Sequence, residues 1–232
     1  MKRIRLAGVI VILAAMSASP AQGAPQSPTD TLLPTRVFGP VKHARCVTDP
    51  RGDFGFFNGK PAGRHDASVD ILRACGATID ATGQDVTRLE ADLPCGPQPT
   101  TFVVCSEQVF SPGELLLFSM QVGDAVAIAL PSALTARYSL FIDAGGDPKT
   151  KAKATPNAPD LASQGTNVTY QVVFNDPGTS VQSAELLAID RRTTNEFFQT
   201  SARVWVDQDK IIFVVPKSEV GTVKAVRGGT FI

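Results

Sequence analysis

Five aspartates form the one constellation in this chain whose types and spacing suggest chemistry. Asp49 and Asp53 close the run Asp-Pro-Arg-Gly-Asp, Asp70 heads an apolar run, and Asp143 and Asp147 bracket Ala-Gly-Gly. Carboxylates gathered on loops suit a hard cation. Calcium takes about six to eight oxygens from carboxylates, carbonyls and water, so several Asp at one end of a domain would serve as its ligands. The same residues have a second reading: Asp in Asp-Pro and Asp-Gly turns accepts hydrogen bonds from nearby backbone N–H groups, with no ion involved. Asp70 fits the turn reading least. An acid among apolar neighbours needs a partner, which a cation, Arg64 or His65 would supply.

A second set consists of aromatic rings. Phe56 and Phe57 stand in a loop beside Gly and Asn, and Trp205 sits on an apolar strand. Rings of this kind, with Tyr138 and Tyr170 behind them, are candidates for stacking on a sugar face; the competing reading is that they pack the core. Signatures of catalysis are missing: there is no Gly-x-Ser-x-Gly, no His-Glu-x-x-His and no phosphate-binding loop. His65-Asp66 beside Ser68 does not amount to a triad, because sequence neighbours do not set that geometry. The expectation is a protein that binds and does not catalyse.

These residues must be held by strands. Tyr138 to Asp143 alternates Tyr, Leu and Ile with Ser, Phe and Asp, then runs into the glycines of the acidic turn. Strand patterns recur at 68–75, 100–109, 114–122, 125–130, 168–175, 182–190, 202–207, 210–215 and 223–227. Ser111-Pro-Gly113 reads as the turn between two of them, and Asp207-Gln-Asp209 as the turn of a hairpin. Residues 86–93 fit a strand or a short helix. Pro216 to Val220 fits a helical turn opened by proline. Pro148 to Gly165 reads as an exposed loop. No long helical period occurs, so the fold class is all-β, a two-sheet antiparallel β-sandwich of jelly-roll or immunoglobulin-like kind.

The compartment is legible at the start of the chain. Lys2, Arg3 and Arg5 precede an apolar run from Leu6 to Met16, and small residues follow to Ala24, with Ala21-Gln22-Gly23 as a cleavage box. That run is too short for a membrane span, which needs about 20 apolar residues. The expected division is a cleaved signal peptide at 1–23, a flexible segment at 24–40 and the sandwich at 41–232, in a secreted or periplasmic protein with no membrane span. Cys46, Cys75, Cys95 and Cys105 fit that setting as two disulfides, for which three connectivities exist. Cys95 and Cys105 flank Gly-Pro-Gln-Pro and a strand-like Thr-Phe-Val-Val, which favours a local bridge and leaves Cys46 for Cys75. Without Lys2, Arg3 and Arg5, 19 basic residues face 22 acidic ones, a net charge of −3. No basic stripe interleaved with aromatics remains to support nucleic-acid binding.

The order of Asp49-Pro-Arg-Gly-Asp53, Asp70-Ile71, Tyr138-Ser-Leu-Phe-Ile-Asp143, Ala202-Arg-Val-Trp-Val-Asp207 and Lys210-Ile-Ile-Phe-Val-Val-Pro216 resembles the family-9 carbohydrate-binding modules and their DOMON-like relatives, over about residues 44 to 220. The resemblance implies an exported, non-catalytic binding module. Its ligand would be a glycan or another cell-surface partner, with Phe56, Phe57 and Trp205 as contacts and Ca2+ on Asp49, Asp53, Asp70, Asp143 and Asp147. In two respects the chain departs from the pattern: its acidic loop lacks a further acid between Asp143 and Asp147, and 95–122 is longer. The alternative is a structural or assembly sandwich with no small-molecule site.

Overall fold

Two antiparallel sheets pack face to face, and a helical layer covers the outer face of the larger one. The structure, a computed structural model, describes residues 32–48, 56–57, 60–61, 70–98, 101–106, 108–126, 136–151, 165–174, 184–192 and 196–231. In chain order its elements begin with α1 (Thr35–Phe38), β1 (Lys42–Thr48), β2 (Phe56–Phe57), β3 (Lys60–Pro61), β4 (Ile71–Ala81) and α2 (Gly83–Asp92). There follow β5 (Gly96–Pro97), β6 (Thr101–Cys105), β7 (Gly113–Val122), β8 (Ala136–Asp143), β9 (Val168–Phe174), β10 (Ala184–Asp190) and β11 (Glu196–Phe197). The last are β12 (Arg203–Asp207), β13 (Lys210–Pro216), α3 (Lys217–Val220) and β14 (Ala225–Phe231). The large sheet runs β1-β4-β7-β13-β12-β6-β5, the small one β11-β10-β9-β8-β14, and β2 pairs with β3. Among the described residues no helix is long and apolar enough to cross a membrane. The signal segment at 1–23 and most of the strand expected at 125–130 lie outside the described residues.

The sandwich reading of the sequence is correct, and the strands explain it. In β7, Leu116, Phe118 and Met120 face the small sheet while Leu115 and Leu117 face the helical layer. In β13, Ile211, Phe213 and Val215 point inward, and Ile212 and Val214 outward. Both strands are therefore apolar nearly throughout, as expected of strands covered on both faces. The small sheet adds Tyr138, Leu140 and Ile142 from β8 and Val168, Tyr170, Val172 and Phe174 from β9 to the same core. Fully burying one such side chain is worth about 1.5–3 kcal/mol.

The ambiguous segment at 86–93 is helical, and its start shows why. Thr82 caps α2: its hydroxyl accepts from the Asp85 N–H at 3.2 Å, while the Asp85 carboxylate accepts from the Thr82 N–H at 2.9 Å. This reciprocal capping box satisfies donors that a helix start otherwise leaves unpaired. Val86, Leu89 and Leu93 then meet the outer face of the large sheet.

Residues expected to be a flexible leader also belong to this layer. Leu32, Leu33 and Phe38 are buried in the same cluster, and Phe38 meets Trp205 edge to face with ring centroids 5.7 Å apart. The folded unit therefore starts by Leu32, before the expected boundary at 41. β1 is a second element the sequence pattern hid. A third difference concerns Ser111-Pro-Gly113. The strands on either side of it, β6 and β7, are not partners, because β12 and β13 lie between them.

Both disulfides join the expected cysteines. Cys46–Cys75 ties β1 to β4 at a directly paired position, and Cys95–Cys105 joins the residue before β5 to the end of β6. Two such bridges suit an oxidising environment.

Candidate functional site

The acidic turn after β8 is built from its own side chains. Asp143 accepts the Gly145 N–H at 2.9 Å, and the Lys151 ammonium lies 2.8 Å from both of its carboxylate oxygens. That ammonium holds the Asp143 carboxyl below its ordinary value; partial burial opposes it, and the Gly145 N–H reinforces it. Gly145 and Gly146 take the positive φ values of 75° and 86° that the reversal demands. Asp147 accepts the Lys149 N–H at 2.9 Å and opens a single 3-10 turn at 148–150. From the β9 side, Asn167 locks the turn. Its side-chain oxygen accepts the Ala144 N–H at 2.9 Å and its amide donates to the Gly145 carbonyl at 2.6 Å. Asn167 is thus buried and engaged at both ends of its amide.

Asp70, the one other expected ligand among the described residues, does not join this turn. Asp143 pairs with Ala225, whereas Asp70 precedes Ile71, and Ile71 packs against the position of Gly228. Three strand residues separate those levels, roughly 10 Å. Among the described residues no three His, Cys, Asp or Glu side chains gather as a metal-binding group. Asp49 and Asp53 lie outside the described residues, as do the side chains of Phe56 and Phe57. Trp205, expected as a ligand contact, is 5% exposed and packs in the helical layer against Phe38. Tyr138 and Tyr170 are core residues as well.

Glu219, on α3, organises the densest polar cluster, and no sequence signal marked it. One carboxylate oxygen accepts from the Tyr170 hydroxyl at 2.9 Å and the Thr200 hydroxyl at 2.6 Å. The other accepts from the Ser201 N–H at 2.8 Å and its hydroxyl at 2.9 Å. Burial, with this carboxylate alongside, pushes the Tyr170 phenol far up, so it remains a donor. Arg192 braces the same turn: it pairs with Asp190 and donates to the Glu219 and Val220 carbonyls at 2.9 and 2.5 Å. Both oxygens of the Glu219 carboxylate are thereby doubly engaged, and the cluster fastens α3 to the start of β12. On the far side Arg203 plays a similar part, donating to the Leu93 carbonyl at 3.1 Å and to Glu90 at 3.2 Å, with Phe110 under its guanidinium.

An open recess lies where the two sheets fail to match in width. Its volume is about 800 Å³. The floor is the sandwich-side face of β1 and β4. Cys46 and Cys75 point to the helical layer, so alternation turns Arg45, Val47, Ala74, Gly76 and Thr78 to the other side, where all five line the recess. The wall is β14 with the residues leading into it, from Thr222 through Gly228. β14 rests on β4 and β7, and nothing among the described residues covers β1 beyond it: Val47 is 68% exposed. Charge is uneven here. Among the described residues the cations Arg45, Lys217 and Lys224 line the recess against the single acid Glu114, which lies 2.6 Å from Lys217. What this arrangement can do is take an anionic, extended ligand against an apolar floor.

No protein-family model, no curated protein and no solved structure matches this chain.

Proposed function

We propose that the chain is an exported, non-catalytic binding domain and that its ligand, an anionic polymer of the cell surface or its surroundings, lies in the recess between β1, β4 and β14. The observation that carries the reading is the excess of cations around a floor that nothing among the described residues covers. The N-terminal signal pattern and the two disulfides support export, and the resemblance to family-9 carbohydrate-binding modules makes anionic glycans the first ligands to try. Calorimetric titration of the processed protein with alginate, and with an uncharged glucan, tests it. Binding of the anionic polymer is expected, weakening as salt rises and lost in the double variant Arg45→Glu/Lys224→Glu, while the glucan gives no heat. If folded protein takes up no polyanion at any salt concentration, the reading fails.

A further inference from the structure

The two disulfides sit in different surroundings. Cys75 is buried and Cys46 half-buried, whereas Cys95 is exposed and Cys105 half-buried. Cys105 also has a particular neighbour: it pairs directly with Arg203 across β6 and β12. Val104 and Val204 point into the sandwich, so Cys105 and Arg203 stand together on the face toward the helical layer, with Cβ atoms about 4.5–5.5 Å apart. The Arg203 guanidinium ends on the Leu93 carbonyl at 3.1 Å, two residues before Cys95. Its side chain therefore runs from one half of the bridge toward the other. We propose that Cys95–Cys105 is a thiol–disulfide exchange site, at which a small thiol attacks the Cys95 sulfur and Cys105 leaves as a thiolate received by Arg203.

Arg203 is 7% exposed, and its Nε–H is buried with no acceptor among the described residues. A buried donor left unpaired is costly. Neither sulfur of the closed bridge accepts it, but a thiolate freed at Cys105 would, so the donor favours the open form over the closed one. The charge acts in the same direction, because a nearby cation stabilises a thiolate and a stabilised thiolate leaves faster. Glu90, 3.2 Å from the outer end of the guanidinium, offsets part of that charge, while Phe110 covers the guanidinium face at 4.8 Å from its ring centre. In the first step the attacking thiolate forms one S–S bond with Cys95 as the Cys95–Cys105 bond breaks, and the electron pair of that bond leaves on Cys105. A second thiolate then displaces Cys95 from the mixed disulfide. Two small thiols are oxidised to their disulfide and the bridge takes up two electrons; of the two protons released, one goes to Cys95 and one to the solvent.

The probe is reduced glutathione in excess over the folded, fully oxidised protein at neutral pH, with acid quenching, alkylation and mapping by mass spectrometry. Cys95–Cys105 should open at least tenfold faster than Cys46–Cys75, with glutathione found first on Cys95. Arg203→Met removes the donor and the charge at similar length and should slow the opening at least threefold. A merely structural loss at that position would loosen the segment and speed the opening instead. Earlier or simultaneous opening of Cys46–Cys75, glutathione found first on Cys105, or equal or faster opening in Arg203→Met would each overturn the proposal. If circular dichroism shows that Arg203→Met does not fold, the order of opening and the position of the adduct in the wild type decide it.

Discussion

Gly228 lies directly on Met120: a Cβ at Gly228 would fall 2.5 Å from the Met120 sulfur and 3.4 Å from the Ile71 side chain. The glycine is required by this close approach of β14 to the large sheet, since its φ is not among the positive ones. Gly228→Ala should therefore destabilise the fold by about 1–3 kcal/mol through overpacking. Met120 is fully buried and has little room to retreat. In a double-mutant cycle by urea unfolding, trimming Met120 to Ala should offset part of that loss. Additive costs would mean the two residues do not press on each other.

Glu219→Gln tests the cluster under α3. The amide keeps the shape but offers one oxygen where the carboxylate has two, so two of the four donors lose their acceptor. A cost of about 1–3 kcal/mol follows for each buried donor so stranded. Thermal unfolding at neutral pH should register the loss, and Tyr170→Phe in the Glu219→Gln background should cost less than Tyr170→Phe alone.

Acid should loosen the Asp190–Arg192 brace. Burial alone would raise the Asp190 carboxyl, but the hydrogen bonds and charge of Arg192 outweigh it and hold the folded value below 3.8. The stabilisation is therefore complete above the unfolded value and is lost as pH falls through the lower folded one. Asp190→Asn should cost about 1–3 kcal/mol at pH 7. The gap from wild type should narrow as pH falls below the ordinary Asp value of about 3.9; a gap independent of pH would mean the carboxylate charge contributes nothing.

The disulfides should differ in weight. Cys46 and Cys75 are 29 residues apart and Cys95 and Cys105 are 10 apart. Loop-closure entropy then assigns about 3.6 kcal/mol to the longer loop and about 2.7 to the shorter. Paired Cys→Ser variants compared by denaturant midpoint check the order. Losing Cys46–Cys75 should also release β1, the floor of the recess, and raise exchange at 42–48.

The sandwich is legible because its strands carry their environment in their side chains. Val168 to Phe174 and Lys210 to Pro216 are runs of β-branched and aromatic residues that water disfavours on either face. β1 is illegible for the opposite reason: Lys-His-Ala-Arg-Cys-Val-Thr carries no apolar alternation, because nothing among the described residues covers its sandwich-side face. Leu32 and Leu33 hide in a proline- and threonine-rich stretch, although two leucines in such company are a signal of burial. Strand partners are beyond reach, since the turn at Ser111-Pro-Gly113 describes only the local chain and not the strands that slip between. The aspartates at 143 and 147 read as either a turn or a metal site, and the structure places them in a self-satisfied turn. The recess has no local signature at all. It arises from a difference in sheet width, and its cations come from positions as distant as 45 and 224.

The strand order also sets when the chain can fold. At the centre of the large sheet β7 pairs with β13, and β6 reaches its partner β12 across 98 to 106 residues. Contacts this distant in sequence form late and slowly. A chain threaded through a membrane pore from its N-terminus would have β4, β6 and β7 emerge first, without the strands that complete their sheet. Those missing strands, residues 203–216, come out among the last. In such a passage the topology would keep the polypeptide loose until residues 203–216 had emerged, and would let it close only where its cysteines could be oxidised.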